Sequence, residues 1–189
     1  MVQITDANIS RRALLSAFAA TLVTAAPTYS GAAGFLRGAG DIRRLRMTST
    51  RTGESIDMIY WVDGEYIYEA IQEISLFMRD WRTNEARDID TRVMDIMTAA
   101  HNLMDVKEPY KLLSGYRSAK TNAMLRSRSR NVARNSLHMS GKAADLQLGS
   151  RTVNQIFKAA RACKGGGVGK YPRSNFVHMD CGQLRTWNG

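Results

Sequence analysis

Two stretches decide how this chain folds: Ser136-Leu137-His138-Met139-Ser140-Gly141-Lys142-Ala143-Ala144-Asp145 and Asn175-Phe176-Val177-His178-Met179-Asp180. His138 and Asp145 are seven positions apart, so they do not make the i, i+4 pair of a helical metal motif. Gly141 permits a turn after His138. From Ala143 to Leu148 the chain then alternates, with Asp145 and Gln147 on one strand face and Ala144, Leu146 and Leu148 on the other. The same period from Phe176 to Cys181 groups Phe176, His178 and Asp180 against Val177, Met179 and Cys181. If the two strands pair, Asp145 and His178 face each other at roughly 5 Å between β-carbons. His138 reaches in from the preceding loop.

Two imidazoles and a carboxylate are a zinc ligand set. Three protein ligands leave a fourth tetrahedral position open, which separates a catalytic zinc from a closed structural one. The same residues also suit ordinary hydrogen bonding on short strands, and composition alone does not choose between the two.

The wider pattern does. Ser-x-His-x-x-Gly-x-Ala-x-Asp over 136–145, followed by a strand bearing His178-x-Asp180, resembles the LAS metallopeptidases (lysostaphin, D-alanyl-D-alanine carboxypeptidase, sonic hedgehog). Within that group the chain most resembles the YcbK/MepK-like murein endopeptidases. Leu113-Ser114-Gly115-Tyr116-Arg117-Ser118, Thr121 to Leu125, Gly166 to Ser174, and Asp180-Cys181-Gly182 with Arg185-x-Trp187 extend the match over roughly residues 42–189. The resemblance implies an α+β fold of the hedgehog/D-Ala-D-Ala-peptidase kind, one zinc held by His138, Asp145 and His178, and peptidoglycan cross-link peptides as substrate. It implies that Arg117 and Tyr116 approach the substrate carbonyl, where a cation or phenol stabilises developing negative charge. A surface ion pair is the alternative for Arg117. The chain departs from the better-known branches, which carry His or Glu two or three residues before the last ligand. Phe176 and Asn175 stand there instead. Asp180, about 6.8 Å from His178 along the same strand face, is the replacement general base, or else a support for His178.

The resemblance implies a zinc-dependent murein endopeptidase acting through a metal-activated water, with links between two diaminopimelate residues as the bond it suggests. A D,D-carboxypeptidase or D,D-endopeptidase is a second reading, and a noncatalytic exported murein-binding protein a third. Retention of all three ligands together with Arg117 favours an enzyme.

Ser10-Arg11-Arg12 before an apolar stretch to Ala26, with no acidic residue between Asp6 and Asp41, reads as a twin-arginine export signal over residues 1–33. The stretch is shorter than the ~20 residues of a membrane span. Nothing later in the chain is apolar enough to cross a bilayer, so the expected mature chain, 34–189, is one domain without a transmembrane segment in the periplasm or cell envelope. Net charge is +10, and it stays strongly positive without residues 1–33, which hold only Asp6, Arg11 and Arg12 as charges. A basic protein attracts polyanions. Arg126, Arg128, Arg130 and Arg134 are the densest cluster. No nucleic-acid motif or row of stacking aromatics accompanies them, so nucleic acid is set aside in favour of anionic envelope polymer or a solvated loop. Cys163 and Cys181 are the only cysteines. In an oxidising compartment they suggest a disulfide, worth on the order of 3 kcal/mol, with two buried thiols as the alternative.

The remaining periodicity predicts strands at 42–48, 55–61 and 111–115, with Asp63-Gly64 opening a hairpin. Helices are predicted over 66–81, from 91 to about 105 with Asp90 as cap, over 119–126, and over 153–163 ending at Gly165. Helices alternating with short strands make an α+β domain with a small, mainly antiparallel sheet flanked by helices. Gly165 to Gly169 lacks the Lys-Ser/Thr of a phosphate loop, and serves close approach of backbone or substrate instead.

Overall fold

Alternating residues deliver one apolar and one polar face to each strand, and the sheet assembles around that division. The computed structural model describes residues 39–129 and 132–189; the expected export signal and Arg130 of the basic cluster lie outside them. In chain order the elements are β1 (Ile42–Ser49), β2 (Ser55–Val62), β3 (Glu65–Tyr66), α1 (Tyr68–Phe77), α2 (Thr91–Leu103), β4 (Tyr110–Ser114), α3 (Ala119–Arg128), a 3-10 turn (Leu137–Ser140), β5 (Ala143–Gln147), α4 (Val153–Ala162), β6 (Gly167–Tyr171), β7 (Phe176–Asp180) and β8 (Arg185–Asn188). The described strands form one sheet in the order β3-β2-β1-β4-β5-β7-β6-β8. β1 with β4 and β6 with β8 run parallel, and every other neighbouring pair is antiparallel. The fold is α+β with a mainly antiparallel sheet, as its sequence pattern implied.

The core lies on one face. Leu45, Met47, Tyr110, Leu112, Ala144, Leu146, Val177 and Met179 point from the central strands into a cluster closed by Val93, Met94, Ile96, Met97 and Ala100 of α2 and Ile156 and Ala160 of α4. Helix α2 is buried from Val93 to Ala100, so its one carboxylate there, Asp95, must be paired. Arg43 lies 2.7 Å from it, and the hydroxyls of Tyr60 and Tyr66 donate to it at 3.0 and 2.7 Å. Asp90 caps α2 as expected, accepting from the Arg92 N–H.

Tyr66 belongs to β3 rather than to the first helix, because the positive φ of Asp63 and Gly64 closes a tight hairpin that pairs Tyr66 with Trp61. The helix starts only after that strand has been used. Two strands are not foreshadowed by the sequence pattern. β6 has glycine at two of its five positions and no alternation to read, and β8 is too short and too polar to stand out. At the end of α4 the left-handed residue is Lys164, with φ 52°, rather than Gly165.

Gly141 carries the turn anticipated for it. Its φ is 68°, it caps the 3-10 turn that holds His138, and its carbonyl accepts from the Asp90 N–H at 2.9 Å. A β-carbon there would run into the carbonyl of Asp88. Gly141→Ala therefore combines an unfavourable φ with a backbone clash, and should lower stability by about 1–3 kcal/mol in urea denaturation. An unchanged midpoint would show that the turn relaxes freely.

Candidate active site

Residues on the polar face of β5 and β7 meet the 3-10 turn at one point. The β5–β7 register sets Asp145 opposite His178. His138 comes from the turn, whose position is fixed by its carbonyl accepting from the Arg117 N–H at 3.1 Å. His138 Nε2 and Asp145 Oδ1 are 3.3 Å apart, His178 Nδ1 and Asp145 Oδ1 2.9 Å, and the two ring nitrogens 3.2 Å. Tetrahedral zinc with ligands at about 2.0–2.1 Å has ligand–ligand edges of roughly 3.3 Å, so this triangle has the right size.

The outward-facing ring nitrogens settle which atoms face inward. His138 Nδ1 lies 2.7 Å from the carbonyl of Gly115, which can only accept, so that nitrogen carries the hydrogen. His178 Nε2 lies 2.9 Å from Asp180 Oδ2, a carboxylate partner that fixes its hydrogen in the same way. With those outer hydrogens in place, both rings in their neutral form would turn a lone pair toward the centre that Asp145 Oδ1 also faces. Such a set needs a cation or a proton to hold it together, and the donors suit zinc. Burial lowers the pKa of His138. Burial acts the same way on His178, but its hydrogen bonds to Asp145 and Asp180 outweigh it and raise the ring to about 9. Asp145 is held well below the usual carboxylate range because the two histidines overcome the effect of its burial.

The triad opens onto a cleft of about 440 Å³. Arg117, 8% exposed, lies in its floor and reaches Asp145 Oδ2, Ser114 Oγ and Asn122 Oδ1, each at the long distance of 3.4 Å. Burial lowers its pKa, with Asp145 and Asp80 opposing the change. Asp80 secures this loop by accepting from the Ser118 N–H at 2.9 Å. Arg126, Arg128 and Arg134 are exposed around the segment that rims the cleft.

Two residues expected at the reaction centre stand elsewhere. Tyr116 packs against the hydrophobic core and does not line the cleft. Asp180 is fully buried behind His178. Its oxygens accept from the N–H groups of Gly167 and Gly182, from His178 and twice from Arg185, at 2.7–3.1 Å. That fills the roughly four lone-pair sites of a carboxylate, leaving none directed at the cleft, and its pKa lies far below the ordinary value as hydrogen bonds from His178 and Arg185 outweigh burial. Sequence reasoning missed the opposite wall, built by Tyr171, Phe176 and Trp187. The only available signal was the aromatic content beside the glycine run.

Cys163 and Cys181 are free, buried thiols rather than a disulfide. Cys163 donates to the carbonyl of Ala159 at 3.3 Å, and Cys181 lies beside the carboxylate of Asp90. Burial pushes them up to about 11 and about 12. Thiol labelling without reductant should therefore find two reactive groups per chain after denaturation and slow reaction before it. Absence of label in the denatured protein would mean that a bridge forms.

Over residues 37–187 the chain matches the family described as Peptidoglycan L,D-endopeptidase MepK. It is 41% identical over 145 residues to the peptidoglycan L,D-endopeptidase MepK of Escherichia coli (strain K12), covering 77% of this chain and 80% of that protein. The Shigella flexneri protein of the same name matches to the same extent. The probable peptidoglycan L,D-endopeptidase MepK of Haemophilus influenzae is 35% identical over 148 residues, 78% of this chain and 80% of the relative.

Proposed function

Because this chain belongs to the peptidoglycan L,D-endopeptidase MepK family, we propose that it is a zinc-dependent murein endopeptidase that opens peptide cross-links, those between two diaminopimelate residues first among them. The observation that carries this reading is the triangle of inward-facing acceptors, His138 Nε2, Asp145 Oδ1 and His178 Nδ1, at the base of an open cleft. When bound there, zinc supplies Lewis acidity and a water of lowered pKa. His138, Asp145 and His178 hold the metal. Asp180 and the Gly115 carbonyl orient the two imidazoles, a task whose loss typically costs 10- to 100-fold in metal affinity. Arg117, loosely held in the floor, is placed to receive the charge that develops on the scissile carbonyl oxygen. The basic rim attracts the carboxylate-bearing stem peptides. Export by the twin-arginine route to the periplasm or cell envelope completes the reading, and no helix among the described residues is long and apolar enough to cross a membrane.

Digestion of purified murein by the zinc-loaded protein should convert cross-linked muropeptides to uncross-linked ones. Chelator should stop the reaction, and zinc should restore it. Folded, zinc-loaded protein that binds murein but releases nothing would leave the noncatalytic murein-binding reading standing.

The place given to Asp180 makes a separate prediction. Asp180→Asn should weaken zinc binding about 10- to 100-fold in competition with a chromophoric chelator. Affinity equal to wild type combined with lost turnover would instead make Asp180 a proton acceptor.

A further inference from the structure

Four residues form a lateral row across the polar face of the sheet: Asp145 pairs with His178, His178 with Gly169, and Gly169 with Trp187. Gly169 is the gap in this row. A β-carbon there would overlap the indole of Trp187, and in its absence the indole leans toward the site, with its centre 5.2 Å from that of the His178 ring. In the next row on the same face, Tyr171 pairs with Phe176 and stacks on it at 4.4 Å with an interplanar angle of 9°. The Tyr171 hydroxyl is drawn back toward the first row, where it accepts from Trp187 Nε1 at 2.8 Å. Its own O–H has no acceptor among the described residues. Tyr171 lines the cleft together with Arg117.

From this arrangement we infer that Tyr171 is a catalytic residue whose hydroxyl donates a hydrogen bond to the scissile carbonyl oxygen as negative charge develops on it, in the cleft that Arg117 also lines. The inference rests on the peptidase reading above. An indole N–H given to the phenol oxygen occupies a lone pair and leaves the O–H as the group to be directed at a ligand. Stacking on Phe176 fixes the ring plane, and the bond from Trp187 fixes the hydroxyl, so little reorganisation accompanies reaction. Such preorganisation is what makes an oxyanion donor effective. It is the role that the family resemblance implied for Tyr116, which packs against the core and does not line the cleft.

Tyr171→Phe keeps the stack and removes only the hydroxyl. On a purified cross-linked muropeptide dimer, kcat should fall roughly 10²-fold, with KM, zinc content and melting temperature close to wild type. A phosphinate analogue of the tetrahedral species should lose affinity in parallel, while the cleaved product binds as before. Trp187→Phe, which removes the N–H that positions the phenol, should show a smaller loss of the same kind and decides the matter if Tyr171→Phe does not fold. A Tyr171→Phe enzyme with wild-type kcat overturns the assignment. So does one whose only change is a raised KM, because Tyr171 is then a binding wall. Wild-type protein that cleaves nothing overturns the peptidase reading itself, an outcome distinct from these two.

Discussion

Pairing of β5 with β7 brings Asp145 face to face with His178, and the rest of the site is arranged around that contact. Register is enforced from the other side of the sheet. Leu146, Val177 and Met179 are all fully buried on the core face, and a slip of one residue would exchange them with Asp145 and His178. Each buried aliphatic side chain is worth ~1.5–3 kcal/mol, so the apolar layer keeps Asp145 and His178 on the opposite face of the sheet.

Around the three candidate ligands lies a shell of groups with one task each. The Gly115 carbonyl and the Asp180 carboxylate face the outer nitrogens of the two imidazoles, and Arg117 faces the outer oxygen of Asp145. Asp180 is in turn neutralised by Arg185 and by backbone N–H groups. Burial makes each charge expensive unless paired, and here each buried charge near the site has its counterpart. The Arg43–Asp95 pair under α2 follows the same rule on the far side of the sheet.

Backbone without side chains shapes the cleft as much as the side chains do. Gly141 lets the turn reverse tightly enough to present His138, and Gly169 opens the space that Trp187 fills. A β-carbon would meet the Asp88 carbonyl at Gly141 and the Trp187 indole at Gly169. Tyr171, Phe176 and Trp187 line the cleft together with Arg117, so aromatic surface and a buried cation share one cavity.

Much of this was legible in the chain itself. Alternation over 143–148 and 176–181 set the faces of β5 and β7, and caps such as Asp90 marked helix starts, because these are local properties with a period of two or 3.6; the candidate ligand triad needed the family resemblance as well, since residue type and spacing alone suit ordinary hydrogen bonding equally. Tertiary structure alone decided what depends on distant segments. Asp180 shares a face with His178 but is sealed by Gly167 and Arg185, which approach through β6 and β8, strands with too little pattern to be read. Tyr116 follows a strand next to Arg117 yet packs against the core, while Tyr171 reaches the cleft from the end of β6, two strands away from β5. The two cysteines, 18 positions apart, lie buried as free thiols, one donating to the Ala159 carbonyl and the other beside the Asp90 carboxylate. Periodicity tells a residue which face it occupies; what else occupies that face is settled only when the strands are placed side by side.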